Sequence, residues 1–268
     1  IYPLYVRDAQ GNIMYENGMR VYDSNQTNFI RPNIMGNAVR DNEVNRRQNY
    51  TDAVMGKLGM AVTPMKGLSL SANIGLSNEN SRYNALYSQF GSASSTDGAA
   101  YVSHDRQFAV NTQVLAEYRT DFNNTLHHME IMAGYEAYSL KLQHLEGQND
   151  HLYSPFIGEL GNADGSSSKV TTSYTAGYMT QGFLARAQYN FAERYFISAS
   201  YRRDASSRFA KGHRWGDFGS IGAAWLISQE RFMSGTDWIS MLKLKVSYGV
   251  QGNDNLYPGA DYARKYFP

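Results

Sequence analysis

The 268-residue sequence contains no cysteine and only six prolines, and its formal net charge is +1. A chain without cysteine has no disulfide framework and offers no thiol for nucleophilic or metal chemistry. The balanced charge gives no general attraction toward nucleic acid or another acidic partner. These absences exclude a disulfide-stapled scaffold and a thiol enzyme, and we expect no nucleic-acid partner.

The sequence also lacks a long apolar run. A membrane-spanning helix needs roughly 18 or more consecutive apolar residues, whereas the longest runs here resemble IGAAWLI at residues 221–227. The first residues, IYPLYVRDAQGN, lack the basic, apolar and small-residue regions of a signal peptide. We therefore predict neither a membrane helix nor a signal peptide in this sequence, and we expect a mature protein or an internal piece of a longer one.

Tyrosine and glycine are abundant, with 21 and 24 copies, and this composition favours β structure. Apolar residues alternate strictly with polar ones in LSLSANIGLS at residues 68–77, which places the two sets on opposite faces of a strand. The same period of two recurs along the chain. Eight strands are predicted, near residues 52–62, 68–77, 108–118, 128–138, 183–191, 195–204, 215–227 and 242–253.

The predicted connections alternate in length. Short turns are predicted at residues 63–67, 121–125 and 192–194, and long polar loops at 84–103 and 146–174. Strands of about ten alternating residues, with aromatic ends, short turns on one side and long loops on the other, are typical of outer-membrane β-barrels. Lipid offers no hydrogen-bond partners, so only helices and closed sheets span it. We predict an all-β, antiparallel transmembrane β-barrel, with a soluble β-sandwich as the alternative.

No spacing of residues selects a catalytic or metal site. His127 and His128 are adjacent, so a strand would direct them to opposite faces, and His144 and His151 have no regular ligand spacing. Serine, histidine and acidic residues are all available, but no arrangement of a catalytic triad or carboxylate pair stands out. We predict no enzymatic activity, no cofactor and no metal site.

Residues 195–233, YFISASYRRDASSRFAKGHRWGDFGSIGAAWLISQERFM, and residues 242–255, LKLKVSYGVQGNDN, resemble the barrel of the SusC/RagA family of TonB-dependent outer-membrane transporters. Residues 1–15, 133–148 and 182–195 fit the same template in the same order. The resemblance is residue for residue at Arg202, Arg203, Asp204, Ser206, Ser207, Arg208, Phe209, Arg214, Trp215 and Gly216. The chain departs from the family pattern at Ala205, Gly219 and Leu226.

The resemblance implies a barrel of about 22 strands with a plugged lumen, of which this chain is an internal fragment of about eight strands. A complete eight-stranded barrel is the alternative. We expect an extracellular loop region at residues 1–51, barrel strands with short periplasmic turns and long extracellular loops at 52–253, and the start of a further extracellular loop at 254–268.

The resemblance also implies a function in the outer membrane of Bacteroidetes-type bacteria. Family members import large nutrients, either glycan oligosaccharides or peptides, with a SusD-like surface lipoprotein. TonB acts through a plug that we expect to lie outside this chain. The alternative is a passive porin or a structural, adhesin-like barrel without TonB coupling.

Two groups of candidate site residues follow. Six aromatic residues in predicted loops could stack on a substrate or pack within the barrel: Tyr83, Tyr87, Phe90, Tyr101, Tyr153 and Phe156. The family-matching residues are expected to be mainly structural. By strand parity, Arg202, Asp204 and Arg208 point into the lumen, while Arg203 points outward toward lipid and lipopolysaccharide.

Overall fold

The computed structural model describes residues 5–16, 18–21, 38–90, 97–123, 126–164, 170–236 and 238–254. Near the beginning, β1 (Tyr15–Glu16) and β2 (Met19–Arg20) form a two-stranded antiparallel sheet, followed by the short helix α1 (Ala38–Val44). Among the helices of the described part of the chain, none has the length and apolar character required to cross a membrane.

Within the described residues, eight further strands form one sheet in the order β10-β9-β8-β7-β6-β5-β4-β3, so every strand lies beside its neighbour in the chain. Adjacent strands connected by turns pair in antiparallel fashion. This arrangement confirms the prediction of eight antiparallel strands. The strands are β3 (Arg46–Met65), β4 (Leu68–Tyr87), β5 (Ala99–Phe122), β6 (His127–Asp150), β7 (Val170–Phe191), β8 (Tyr195–Ser206), β9 (Trp215–Leu226) and β10 (Lys243–Val250).

Several strands are about twice as long as the sequence predicts. β5 and β6 each contain 24 residues, and β3 begins at Arg46 rather than near residue 52. β4 continues to Tyr87 and β5 begins at Ala99, so the predicted loop bounds of 84–103 were wrong. The reason is that backbone pairing between strands continues into segments in which neither face is apolar. In those segments the alternation of apolar and polar residues is lost, so the sequence no longer indicates a strand.

The turn at one end of the sheet is tight where the sequence predicts it. Gly67 adopts φ +83° in the β3–β4 turn, a conformation that glycine reaches without a Cβ clash. The β7–β8 turn uses Ala192 and Glu193 at φ 53° and 56°. The β9–β10 connection, at the same end, is longer than these two turns and contains the 3₁₀ helices Ile227–Gln229 and Arg231–Met233.

Side chains alternate between two faces of the sheet with opposite chemistry. On β8 and β9, Ile197 and Ile221 are 53% and 59% exposed on one face, which we name the apolar face. This face also carries Leu70, Ile74, Val114, Ile131, Phe183, Leu244 and Val246. The opposite face, named the polar face, carries Asn73, Asn111, Gln113, Glu136, Arg202 and Asp204.

The chain divides into two compact units. The first comprises Ile1–Ala53, Glu79–Arg106 and Gln143–Tyr174, and the second comprises Val54–Asn78, Gln107–Leu142 and Thr175–Pro268. A small apolar core, made of Leu86, Ala100 and Leu152 with Ala163 against it, lies in the first unit. In the second unit the large apolar side chains are mostly exposed on the apolar face, the reverse of a water-soluble sheet.

Candidate functional site

A cavity of about 770 Å³ opens on the polar face of the second unit. We name it the polar-face cavity. Charged groups, amides and aromatic rings line it together. They come from strands β3 to β9, from the β8–β9 connection and from residues 252–254 after β10. The residues that define its chemistry are Gln113, Glu136, Tyr138, Tyr178, Arg202, Asp204, Phe218 and Asp254.

A row of hydrogen bonds and ion pairs crosses the floor of this cavity. The Gln113 side-chain amide donates to Glu136 Oε1 at 2.8 Å. Arg202 Nη2 donates to the other oxygen of Glu136 at 3.0 Å, and Arg202 also donates from Nε and Nη2 to Asp204 at 3.2 Å. The planar guanidinium suits this role because it can serve two carboxylates at fixed geometry.

This row of hydrogen bonds and ion pairs requires a glycine in the intervening strand. β7 lies between β6, which carries Glu136, and β8, which carries Arg202. Gly182 of β7 is opposite Asp204 in the register, and a Cβ at Gly182 would overlap the Asp204 carboxylate. Glycine at this position therefore leaves the space in which Asp204 lies beside Arg202.

A second cluster joins β7 to the segment after β10. Tyr178 Oη donates to Asp254 Oδ2 at 2.6 Å, and Arg208 Nη1 lies 3.7 Å from Asp254 Oδ1. The Arg208 guanidinium also lies 4.4 Å from the centre of the Tyr178 ring, in cation–π geometry. The Tyr178 hydroxyl holds the pKa of Asp254 below its ordinary value, so this carboxylate stays charged.

The family-matching residues of β8 lie on both faces of the sheet. Arg202 and Asp204 line the polar-face cavity. Arg203 lies on the apolar face, 3.8 Å from Asp217 Oδ1 and 5.6 Å from the centre of the Trp215 ring. Arg203 therefore has local partners on that face.

The remaining family-matching residues shape the β8–β9 connection. Ser206 is buried, and Ser207 Oγ accepts a hydrogen bond from the Met179 amide at 2.9 Å. Arg214 Nε donates to the Phe209 carbonyl oxygen at 3.2 Å. These contacts fix the connection locally.

The six predicted loop aromatics have different environments. Tyr83, Tyr87 and Tyr101 belong to strands β4 and β5 rather than to loops, which corrects the prediction for these three. Tyr83 and Tyr101 pack edge to face, 5.8 Å between ring centres, and Tyr101 Oη donates to Glu146 at 2.5 Å. The Tyr87 ring packs against Arg47. All three rings are therefore engaged within the first unit.

Phe90 follows β4, outside the strands, and its amide donates to Ser88 Oγ at 3.4 Å. Its neighbours at residues 91–96 lie outside the described residues.

Tyr153 and Phe156 lie on an ordered loop, residues 151–164, which we name the docked loop. Their side chains are 76% and 56% exposed. Asn162 supports the loop from inside, because its side-chain amide donates to the carbonyls of Ser154 and Ile157 at 2.7 and 2.8 Å. The docked loop thus presents two exposed rings on a fixed backbone.

The docked loop is attached to β4 by polar contacts. Arg82 Nη2 donates to both carboxylate oxygens of Glu159, at 2.9 and 2.7 Å, and Asn84 donates to the Gly158 carbonyl at 2.6 Å. Leu152 contributes to the small core of the first unit. The loop is therefore held near its start, at Leu152, and near its middle, at Gly158 and Glu159.

Two rows of aromatic rings cross the second unit. The turn row lies beside the short turns and consists of Phe122, His127, Phe191, Tyr195, Trp225 and Phe232, with successive ring centres 4.6 to 6.4 Å apart. The far row consists of Tyr135, Phe183 and Trp215, with ring centres 5.2 and 6.2 Å apart.

The spacing of the rows fits a membrane. On β7 the rows are eight positions apart, from Phe183 to Phe191, and on β9 ten apart, from Trp215 to Trp225. At roughly 3.3 Å per residue this is about 26 to 33 Å along the strands. A strand tilted by about 40° then crosses about 20 to 25 Å, close to the apolar band of an outer-membrane barrel.

The sequence does not predict that Glu136, Tyr178 and Asp254 line the polar-face cavity. Alternation placed Glu136 on the polar side of its strand, but no sequence signal pairs it with Arg202, which lies 66 positions away. Within the described residues, no group of three or more histidine, cysteine, aspartate or glutamate side chains is placed to hold a metal ion.

No protein-family model matches the sequence. It is 26% identical over 224 residues to TonB-dependent receptor P39 of Formosa agariphila, an alignment that covers 80% of this chain and 20% of P39. It is 35% identical over 92 residues to TonB-dependent receptor SusC of Bacteroides thetaiotaomicron, covering 34% of this chain and 9% of SusC. The chain thus spans about a fifth of the length of P39 and less than a tenth of the length of SusC.

The fold is similar to that of the RagAB peptide transporter, with a TM-score of 0.76 at 22% identity over 92% of this chain and 26% of that chain. The RagAB peptide importer in the open-open state gives a TM-score of 0.73 at 22% identity, over 90% and 26%. These likenesses confirm the predicted fold class, a partial β-barrel. Together with the sequence matches, they confirm the resemblance to SusC/RagA-like TonB-dependent transporters. The matched proteins are named as receptors and transporters, not as enzymes.

Proposed function

We propose that this chain forms part of the wall of an outer-membrane transporter that imports large nutrients. Its apolar face contacts lipid and its polar face lines the transport lumen. Import is driven by TonB through a plug, and a SusD-like lipoprotein delivers the ligand at the cell surface. In this proposal the short turns are periplasmic, while the docked loop and the β4–β5 connection are extracellular.

The observation that carries the proposal is the opposite chemistry of the two faces. The polar face holds the Gln113, Glu136, Arg202 and Asp204 row beside a 770 Å³ cavity. The apolar face exposes aliphatic side chains such as Ile197 between two aromatic rows. Lipid on one side and water on the other give each face a favourable environment.

The proposed regions follow the sequence interpretation with adjusted bounds. The described residues before β3 (5–16, 18–21 and 38–45) contribute to an extracellular loop region, and strands β3 to β10 contribute barrel wall. The chain that follows Asp254 leads into a further extracellular connection. Residues 255–268 lie outside the described residues.

The proposed substrates are glycan oligosaccharides or peptides. RagAB is named as a peptide transporter and supports the peptide class. The cavity supports both classes, because it combines aromatic rings such as Tyr138 with amides and paired charges. Aromatic rings pack on the apolar faces of sugars and side chains, while amides and charged groups bind hydroxyl and peptide groups.

The test compares cells with and without the full-length gene, using a panel of labelled glycans and peptides. We expect uptake of at least one ligand to require the gene, and to stop when TonB is deleted or the inner-membrane proton gradient is dissipated. Uptake that requires the gene but continues without TonB would identify a passive porin. No gene-dependent uptake across the panel would refute the import function.

A further inference from the structure

After β10 the chain leaves the sheet and crosses the polar face. The β9–β10 ladder ends at the pair of Val250 with Gly219. Four residues later, Asp254 bonds to Tyr178 of β7, although β9 and β8 lie between β10 and β7 in the sheet. We name residues 251–254 the inward strap.

Contacts with β7, with β9 and with the β8–β9 connection fasten the inward strap. Asp254 accepts the Tyr178 hydroxyl at 2.6 Å, and the Asp254 backbone carbonyl accepts Arg208 Nη1 at 3.3 Å. Gly252 lies against the ring of Phe218, so closely that a Cβ at this position would overlap the ring. The Phe218 ring and the Tyr178 hydroxyl therefore hold the strap at two points along its length.

The inward strap forms part of the wall of the polar-face cavity. Gly252, Asn253 and Asp254 all line the cavity, opposite residues of β5 and β6 such as Gln113 and Tyr138. If the strap moved outward, the cavity would lose this wall and become wider. The fastening of Asp254 is thus linked directly to the dimensions of the cavity.

We propose that Asp254 is a positioning residue that holds the inward strap across the polar-face cavity and thereby limits the size of the molecules that enter it. The proposal rests on the proposed transport function for its physiological meaning, but not for its physical test. The Asp254 and Arg208 side chains are 31% and 27% exposed, so water screens their attraction. The short hydrogen bond from Tyr178 to a carboxylate is the stronger fastening.

The test measures access to the cavity in the full-length transporter in detergent. Thr180, which lines the cavity, is replaced by cysteine, and any cysteine outside these 268 residues is replaced by serine. The rates of modification by a small and a bulky maleimide are then compared. We expect Asp254→Ala and Tyr178→Phe to raise the ratio of bulky to small rates by about tenfold, the effect of losing one hydrogen bond to a charged group.

Tyr201→Phe is the matched control. It removes a tyrosine hydroxyl that donates to Asp217 at 2.5 Å on the apolar face of the same sheet, and we expect the rate ratio to stay unchanged. Asp254→Asn keeps an oxygen acceptor for Tyr178 and should give an intermediate ratio.

Two results would overturn the proposal: an unchanged ratio in Asp254→Ala, or equal acceleration of both reagents, which indicates general loosening. The labelling involves no transport step, so it decides the role of Asp254 even if the wild-type protein imports nothing. In cells that do import, the same variants should admit larger ligands while Tyr201→Phe should not.

Discussion

Arg202 Nη2 donates to Glu136 Oε2 at 3.0 Å across β7, a strand to which neither residue belongs. An ion pair that spans an intervening strand ties three strands together by side chains in addition to the backbone ladder. Gly182 of β7 leaves room for Asp204 beside the same guanidinium. The row therefore depends on one arginine and one glycine, which can be tested separately.

Arg202→Ala is expected to lower the stability of the full-length protein. Glu136 and Asp204 would then lose their shared cation. Because Arg202 is 46% exposed, solvent screening limits the loss to about 1 kcal/mol. Thermal unfolding in detergent measures it. Arg186→Ala is the control, since Arg186 is an exposed arginine of β7 without an ion pair among the described residues; an equal loss there would contradict the role of the row.

Gly182→Ala is expected to destabilise the protein by about 1 to 3 kcal/mol, the usual cost of overpacking. The new methyl group would displace the Asp204 carboxylate and weaken its bonds to Arg202. Gly177→Ala on the same strand is the control, because its nearest neighbour is ordinary van der Waals contact at 3.9 Å. In the Asp204→Ser background the cost of Gly182→Ala should shrink, and an unchanged cost would count against the displacement.

The sequence predicts the apolar face well and the polar face poorly, for physical reasons. Outward residues such as Ile197 and Val246 repeat every two positions because a single environment selects them all. The polar face is built from pairs such as Tyr178 with Asp254, 76 positions apart. Such pairing depends on strand order and register, which local alternation does not determine.

The loop predictions fail for a related reason. Tyr83 and Tyr101 belong to strands whose two faces are both polar or mixed, so no alternation marks them. In both β4 and β5 the strand continues without a break from the alternating segment to these tyrosines, although the alternating sequence pattern stops. The docked loop is likewise ordered by Asn162 and Glu159, through contacts that composition alone does not predict.

Ile197→Arg is expected to impair membrane insertion. Ile197 lies on the apolar face, two positions from Tyr195 of the turn row and on the side toward the far row. A lipid-facing cation costs about 2 to 4 kcal/mol at the bilayer centre and less toward the interfaces, so we expect a cost of about 1 to 2 kcal/mol at this position. The measurement is the denaturation midpoint of the full-length protein in lipid vesicles. Ser198→Arg places the same charge on the polar face one position later and should be tolerated. Equal effects of the two changes would argue against a lipid-facing apolar face.

Glu230 is expected to make the turn row sensitive to acid. Its Oε1 accepts Tyr195 Oη at 2.6 Å and Trp225 Nε1 at 3.0 Å. These two hydrogen bonds, Tyr195 first, hold the pKa of Glu230 below its ordinary value of 4.5. A lowered carboxyl pKa contributes stability that is fully present above 4.5 and is lost as the pH falls through the lowered pKa.

The ¹⁹F resonance of 5-fluorotryptophan at Trp225, assigned with Trp225→Phe, reports this change. We expect it to shift only below pH 4.5 in the wild-type protein, and Glu230→Gln to remove the pH dependence. A shift that persists in Glu230→Gln would assign the titration to another group.

Tyr153 and Phe156 are expected to differ from Tyr101 in their effect on ligand uptake, if the proposed import function holds. Tyr101 donates to Glu146 and packs against Tyr83, so Tyr101→Phe should lower stability by about 1 kcal/mol, one hydrogen bond, with little effect on ligand affinity. Tyr153 and Phe156 are 76% and 56% exposed on the docked loop, so their removal should leave the unfolding temperature unchanged. Loss of one stacking ring should weaken ligand binding about three- to tenfold.

The measurement pairs the apparent KM for uptake with thermal unfolding for Tyr153→Ala, Phe156→Ala and Tyr101→Phe. Asn162→Ala tests whether the fixed position of the two rings matters in addition to their presence. It keeps both aromatic side chains but removes the hydrogen-bond donors to Ser154 and Ile157 that fix the docked loop. If the rings bind ligand from a preordered loop, Asn162→Ala should also raise KM, because ordering the loop then opposes binding. An unchanged KM in both ring variants would assign these aromatics to surface packing and leave ligand recognition to the polar-face cavity.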